Sequence, residues 1–279
     1  MKRFLTLMLL CAAVMTAVAQ SKADILVSYE SNSRNWESDS MKTGRMSLLA
    51  NARESKYFND LSLWSDSLSS TPEGKKQLQQ IIMAACMTRT EDGGMSFDMR
   101  KGPVKKVHIY VFTKPADNTL RYYSRLANNP CFYDETLDEQ QWQIGDSTQT
   151  ILGYECIKAE TDYHGRRWTA WFAPEIPMPY GPWKLHGLPG LILKAEADNG
   201  DGYVATGIEK TERIISPMYS ADDYSKVDRK KALADHEYFV NNRENIMQAE
   251  HGGSVTFKYD INARPKYDAA KYAPEPDYK

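Results

Sequence analysis

The side chains able to do chemistry in this sequence are few and scattered. Five histidines stand at positions 108, 164, 186, 236 and 251, and no pair has metal-ligand spacing. His236-Glu237 opens like a zinc helix, but position 240 holds Val240 where a second histidine would be needed. There is no Gly-x-Ser-x-Gly elbow, no Gly-x-x-x-x-Gly-Lys phosphate loop and no Cys-x-x-Cys pair. Asp198-Asn199-Gly200-Asp201-Gly202 lacks the spaced carboxylates and terminal Glu of a calcium loop and reads as a turn. No metal and no cofactor are therefore expected. Cys156 or Cys131 brought to His186 by the fold would form a nucleophile and base, making the protein a cryptic hydrolase acting on peptide or glycan.

A denser group of functional side chains lies between Trp171 and Glu196. Five of the 13 prolines fall between Pro174 and Pro189, which fixes backbone angles and removes amide donors. Such a segment is a rigid loop, not a helix or a central strand. Trp171, Tyr180, Trp183 and His186 on this loop would form an aromatic surface with one titratable group, suited to an apolar or glycan-like ligand or to an envelope protein. Glu175 and Lys184 would orient a polar end. Gly187-Leu188-Pro189-Gly190-Leu191-Ile192 reads differently, as turn chemistry followed by an apolar anchor into the core.

The elements that must position this loop are mostly strands. Asp24–Glu30, Met46–Ala50 and Lys56–Phe58 read as strands, and Val104–Lys114 alternates with period two ahead of a hairpin at Pro115–Asn118 into Leu120–Leu126. His108 is then one residue of a strand face. Gln141–Ile144, Ile151–Glu160 and Arg166–Phe172 follow, with a turn at Tyr163-His164-Gly165, and Leu191–Ala197 pairs with Tyr203–Lys210. Two helices are expected. Thr71 caps the first, with Pro72 at its first position and Leu78, Ile81, Ile82 and Ala85 as a stripe to press on the sheet; the second spans Asp223–Gln248 and stops at Gly252-Gly253. A last strand is expected at Ser254–Tyr259, before an extended C-terminal tail over 265–279. The expected fold is α+β and mainly antiparallel, a strongly curved open sheet or partly closed barrel with two helices packed on it.

Composition bounds the rest. The 279 residues are 42% hydrophobic and 26% charged, enough for a proper core, with a net charge of -2 that gives no basic patch for nucleic acid. Lys2-Arg3, the apolar run Phe4–Val14 and Ala17-Val18-Ala19 ahead of Gln20 form a Sec-type signal peptide over 1–19. Leu10 before Cys11 is too large for a lipid-modification site. Its removal takes Lys+Arg from 35 to 33 against 37 acidic residues, a net charge of -4. No later segment is long and apolar enough for a membrane-spanning helix. Three cysteines remain; Cys131 and Cys156 are the candidate disulfide, and three buried thiols are the alternative.

One family resemblance rests on this loop. Tyr180-Gly181-Pro182-Trp183 followed by Gly187-Leu188-Pro189-Gly190-Leu191-Ile192 resembles the signature of the GLPGLI family, exported proteins of Bacteroidetes-type bacteria. Trp142-x-Ile144, Gly153-Tyr154-x-Cys156-x-Lys158-Ala159, Gly165-Arg166 and Ala170-Trp171-Phe172-x-Pro174-Glu175-Ile176-Pro177 match it in order and spacing. The resemblance implies location in the periplasm or at the cell surface and one family domain over 20–264, and it carries over no catalytic residue. The resulting expectation is a non-catalytic binding or partner-docking protein with an aromatic-lined concave sheet.

Overall fold

The computed structural model describes residues 21–103, 105–250 and 264–279. The leader, the Gly252-Gly253 stop and the strand expected at Ser254–Tyr259 lie outside these. The strands are β1 (Ile25–Arg34), β2 (Met41–Ala50), β3 (Ser55–Phe58), β4 (Met87–Arg89), β5 (Met95–Phe97), β6 (Tyr110–Lys114) and β7 (Thr119–Leu126). They continue with β8 (Asn129–Thr136), β9 (Gln143–Ile151), β10 (Tyr154–Tyr163), β11 (Arg166–Ala173), β12 (Leu191–Ala197), β13 (Gly202–Lys210) and β14 (Ser225–Lys226). The helices are α1 (Asp60–Ser69), α2 (Pro72–Cys86), α3 (Arg229–Glu250) and the single turn α4 (Ala269–Tyr272).

Among the described residues, twelve strands form one sheet in the order β14-β8-β7-β6-β3-β2-β1-β13-β12-β11-β10-β9, with β4 and β5 as a separate ribbon. All pairings in the large sheet are antiparallel except β14 on β8. The architecture is thus α+β and mainly antiparallel. Among the described residues the order has two free ends, so closure into a barrel is not observed. The sheet nevertheless bends around its core: the Tyr163 hydroxyl on β10 donates to Glu135 on β8 at 2.9 Å, although these strands lie near opposite ends of the order.

Strand alternation divides the apolar residues between two faces. Leu48, Tyr57, Val111, Tyr122 and Tyr133 join Trp168, Phe172 and the motif loop in the main core. Their strand neighbours Leu49, Phe58, Tyr110, Tyr123 and Phe132 face a second cluster with Ile215 and Met218. Leu188, Leu191 and Ile192 of the motif are fully buried in the main core, as an anchor should be. Gly190 explains part of the motif's rigidity, because a Cβ there would stand 2.3 Å from the Ala173 carbonyl oxygen.

Four expectations need correction. The first helix begins as expected, with the Thr71 side chain accepting from Gly74 N–H at 3.0 Å, but Leu78, Ile81 and Ile82 are only half-buried, Ala85 is exposed, and the helix packs on α1 and not on the sheet. Serine-rich α1, capped by Asn59, escaped the sequence reading. The strand expected at Val104–Lys114 begins only at Tyr110. Ahead of it α1 captures the polar groups: Ser62 Oγ donates to the Val107 carbonyl at 2.6 Å and Lys105 pairs with Asp66 at 2.6 Å. Residues 265–279 are not a loose extended tail, since Ala269, Ala273 and Glu275 are buried against the body. Finally, Cys131 on β8 and Cys156 on β10 are free buried thiols, standing across from Ser124 and Gln149 and not from each other.

Gly190→Ala tests the close approach behind the motif. It should lower stability by about 1–3 kcal/mol, seen as a lower urea midpoint with an unchanged slope.

Candidate functional site

The motif loop does not hold its aromatics outward. Tyr180, Trp183 and His186 are buried, with exposures of 1%, 4% and 4%. Trp171 is half-buried and stands across from Lys158 and Lys194 on the neighbouring strands. The physical reason is packing: Trp183 lies 5.4 Å from Trp168 and 6.0 Å from Tyr163 between ring centroids, and it adopts φ 54°, a left-handed conformation that a bulky residue keeps only under strong constraint. The His186 ring is used up structurally. Its Nδ1 lies 2.7 Å from the Lys184 carbonyl and 3.0 Å from Gln140, and its Nε2 lies 3.1 Å from the Leu137 carbonyl. Neither Cys131 nor Cys156 is among these partners, and burial raises both thiols above their ordinary range, so the cysteine–histidine pair is not assembled.

What the motif does position is Lys184, the charged residue between Trp183 and Leu185. Its ammonium is fully buried and donates to Tyr133 Oη at 3.0 Å, Glu135 Oε1 at 2.9 Å and Glu275 Oε1 at 2.8 Å, which uses all three of its protons. The cluster extends from there. Arg229 at the start of α3 reaches Glu275 at 2.9 Å and Asp277 at 2.5 Å, and His164 in the β10–β11 turn lies 2.9 Å from Glu135 and 3.2 Å from Asp277. Burial by itself pushes the Glu135 carboxyl up, but the His164 hydrogen bond and the Lys184 ammonium outweigh it and hold the group at about 2. The ligand atoms of Glu135, His164 and Glu275 fall within 4.8 Å of one another, a cluster that sequence spacing could not reveal. These residues do not fit a metal ion, because the Lys184 ammonium already bridges both carboxylates where a cation would sit.

An open cavity lies on the opposite face of the sheet. A cleft of about 1360 Å³ is bounded by α1, the β6–β7 hairpin and residues 213–219. Its walls include Trp64, Phe112, Tyr123 and Tyr219, with Asp60, Lys114, Arg121 and Arg213 among them. Arg213 pairs with Asp60 at 3.3 Å and Lys114 with Glu54 at 3.7 Å, so the polar side chains are held in place by salt bridges. None of the four aromatic residues proposed from the motif lines this cleft.

Lys56 sits directly behind the cleft wall. Strand parity puts it on the Phe58 face of β3, where it is fully buried and donates to the Ser216 carbonyl and hydroxyl, both at 2.9 Å. Phe58, Tyr110, Phe112 and Tyr219 surround its ammonium at 5.2–5.8 Å from their ring centroids. Burial brings the amine from 10.5 down to about 7, with the Asp66 carboxylate opposing the shift and Arg213 adding to it.

With this geometry in place, comparison with known proteins is informative for one region. The sequence model of the family "N-glycanase peptide, N-terminal domain" matches residues 105–232, from just before β6 to the first turn of α3. That stretch carries the hairpin and 213–219 walls of the cleft, and Glu135, His164, Lys184 and Arg229 of the cluster. No curated protein matches the sequence. Among solved structures, PNGF-II in a C2 crystal form is similar at 15% identity with a TM-score of 0.46, over 76% of this chain and 32% of that one. The P21 form gives 14% identity and a TM-score of 0.47, over 77% of this chain and 33% of that one. The chain thus spans about a third of the length of the PNGF-II chains it matches.

The two buried lysines make separable predictions. Lys184→Ala leaves Glu135 and Glu275 short of a counter-charge and should cost about 3–5 kcal/mol in urea unfolding. For Lys56, the folded-state value of about 7 lies below the unfolded 10.5, so between these limits the unfolded chain binds more protons. Stability should therefore rise with pH across that window, and the excess melting temperature of Lys56→Met over the unsubstituted protein should shrink from about pH 7 to about pH 10.

Proposed function

We propose that the protein is an exported, non-catalytic binding protein of the bacterial envelope that holds a glycan chain in the cleft between α1, the β6–β7 hairpin and residues 213–219. The wall chemistry of the cleft carries this reading. Trp64, Phe112, Tyr123 and Tyr219 supply flat apolar faces, while Asp60, Lys114, Arg121 and Arg213 supply charged hydrogen-bonding groups fixed by ion pairs. Sugar rings offer both surfaces, C–H faces for stacking and hydroxyls for hydrogen bonds. Likeness to an N-glycanase N-terminal domain over 105–232 favours a glycan over a purely apolar ligand.

The GLPGLI-type motif from Gly187 to Ile192 and the leader over 1–19 support export to the periplasm or cell surface. On this reading the strongly curved open sheet is a scaffold, and the motif loop anchors its core. The ligand side is the opposite face.

Binding of an N-glycopeptide, followed by native mass spectrometry and calorimetry, tests the proposal. Trp64→Ala and Tyr219→Ala should each weaken binding by about ten-fold at an unchanged melting temperature, the scale of one lost aromatic contact. Equal retention of the deglycosylated peptide would remove the glycan from the reading. Release of free glycan or cleaved peptide would replace it with the hydrolase alternative.

A further inference from the structure

Segment Arg264–Lys279 is held by the rest of the chain as a bound peptide is held. Side chains of the body, not a neighbouring strand, capture its backbone. Arg166 donates Nε and Nη2 to the Ala273 carbonyl at 3.0 and 2.7 Å. Asn241 accepts from the Tyr267 N–H at 2.7 Å and donates to the Tyr267 carbonyl at 3.3 Å. Its basic ends lie on acidic groups of the body, Arg264 on Glu244 at 2.7 Å and Lys279 on Glu237 at 2.9 Å.

The middle of the segment brings the charge. Glu275 enters between Lys184 and Arg229, and Asp277 takes a bidentate contact from Arg229 at 2.8 and 2.5 Å while facing His164 Nδ1. Pro276 between them passes over Gly165, where an added Cβ would stand 3.1 Å from the proline ring. The body's own share of this site is Lys184, Arg229, the His164 imidazole, the buried carboxylate Glu135 and, 3.9 Å from His164 at the site's edge, the partly exposed Glu139. Without the segment Lys184 and Arg229 lose the two carboxylates that pair with them, which leaves donors free for another acidic chain.

From this we propose that the groove formed by Arg166, Lys184, Arg229 and Asn241 is a binding site for acidic polypeptide segments with two carboxylates flanking a proline, and that Glu275-Pro276-Asp277 is its internal occupant. An acidic segment of another protein binds by displacing it. Backbone capture by Asn241 and Arg166 supplies the preference for a polypeptide, and the cation socket supplies the preference for acidic side chains. The site stands on the opposite face of the sheet from the glycan cleft and does not depend on that reading.

The test uses the full chain carrying Glu275→Gln and Asp277→Asn, which weakens the internal occupant without removing it. A fluorescently labelled synthetic peptide of residues 264–279 should bind this variant at least about ten-fold more tightly than it binds the unsubstituted chain, whose groove is already filled. The same peptide with Gln and Asn at those two positions should not bind, and added salt should weaken the complex. Carbodiimide coupling should join the peptide to Lys184, located by peptide mass mapping. Equal binding by the neutral peptide, no preference for the variant chain, or coupling only at other lysines would overturn the proposal. Loss of cooperative unfolding in the variant would also overturn it, because the segment would then be an inseparable part of the fold.

Discussion

The buried ammonium of Lys184 is the constraint on which much of this architecture depends. A lysine amine stripped of water is tolerated only when its donors find acceptors and its charge finds counter-charge. Here the acceptors come from places distant in sequence: Tyr133 and Glu135 on β8 and Glu275 in the last segment. Meeting that need draws β8 toward the motif loop and seals the last segment against the body. The rigid Tyr180–His186 corner, with Trp183 held at φ 54°, fixes where the amine points. Apolar residues of similar size would fill the same space at no desolvation cost. What the ions add is register, since a slip of β8 by one residue would swap Glu135 for a neighbour on the opposite face.

The parts of this fold legible in the sequence were those specified locally. Trp168, Ala170 and Phe172 alternate with Thr169 and Trp171, and the structure buries the first three completely. The Tyr163-His164-Gly165 turn and the Thr71 cap were legible for the same reason, because their chemistry lies within four residues. Strand β8 was missed because Pro130 argues against a strand and because its faces carry Tyr133 and Glu135 opposite Phe132 and Asp134, with no plain apolar alternation. Helix α1 reads as turn text, since its serines are as many as its apolar residues.

The candidate site was less legible than the fold. An aromatic-rich rigid loop suggests a surface for ligands, yet the same residue types serve a core when both faces of a sheet are covered. Tyr180, Trp183 and His186 followed the second course. Lys184 was the available signal: a single charged residue inside an otherwise apolar and aromatic run must either emerge or be neutralised. Its partners could not be named, because Glu275 lies 91 positions away and composition alone makes its segment look solvated. The cleft had still less trace in the sequence, as its walls come from α1, β6, β7 and residues 213–219, none of which forms a motif.

The two buried lysines show how one residue type takes two roles on the two faces of a sheet. Lys184 meets two carboxylates and a tyrosine hydroxyl inside the main core. Lys56 hydrogen-bonds the Ser216 carbonyl and hydroxyl among four aromatic rings, and its burial outweighs the Asp66 carboxylate, so its amine falls to about 7. Aromatic quadrupoles attract a cation but do not neutralise it. Residues 213–219 are therefore tied to β3 by a contact whose strength changes with the protonation of one amine, and the same residues form a wall of the cleft. The fully paired lysine thus lies on the side of the sheet that holds the last segment, and the cleft lies on the other.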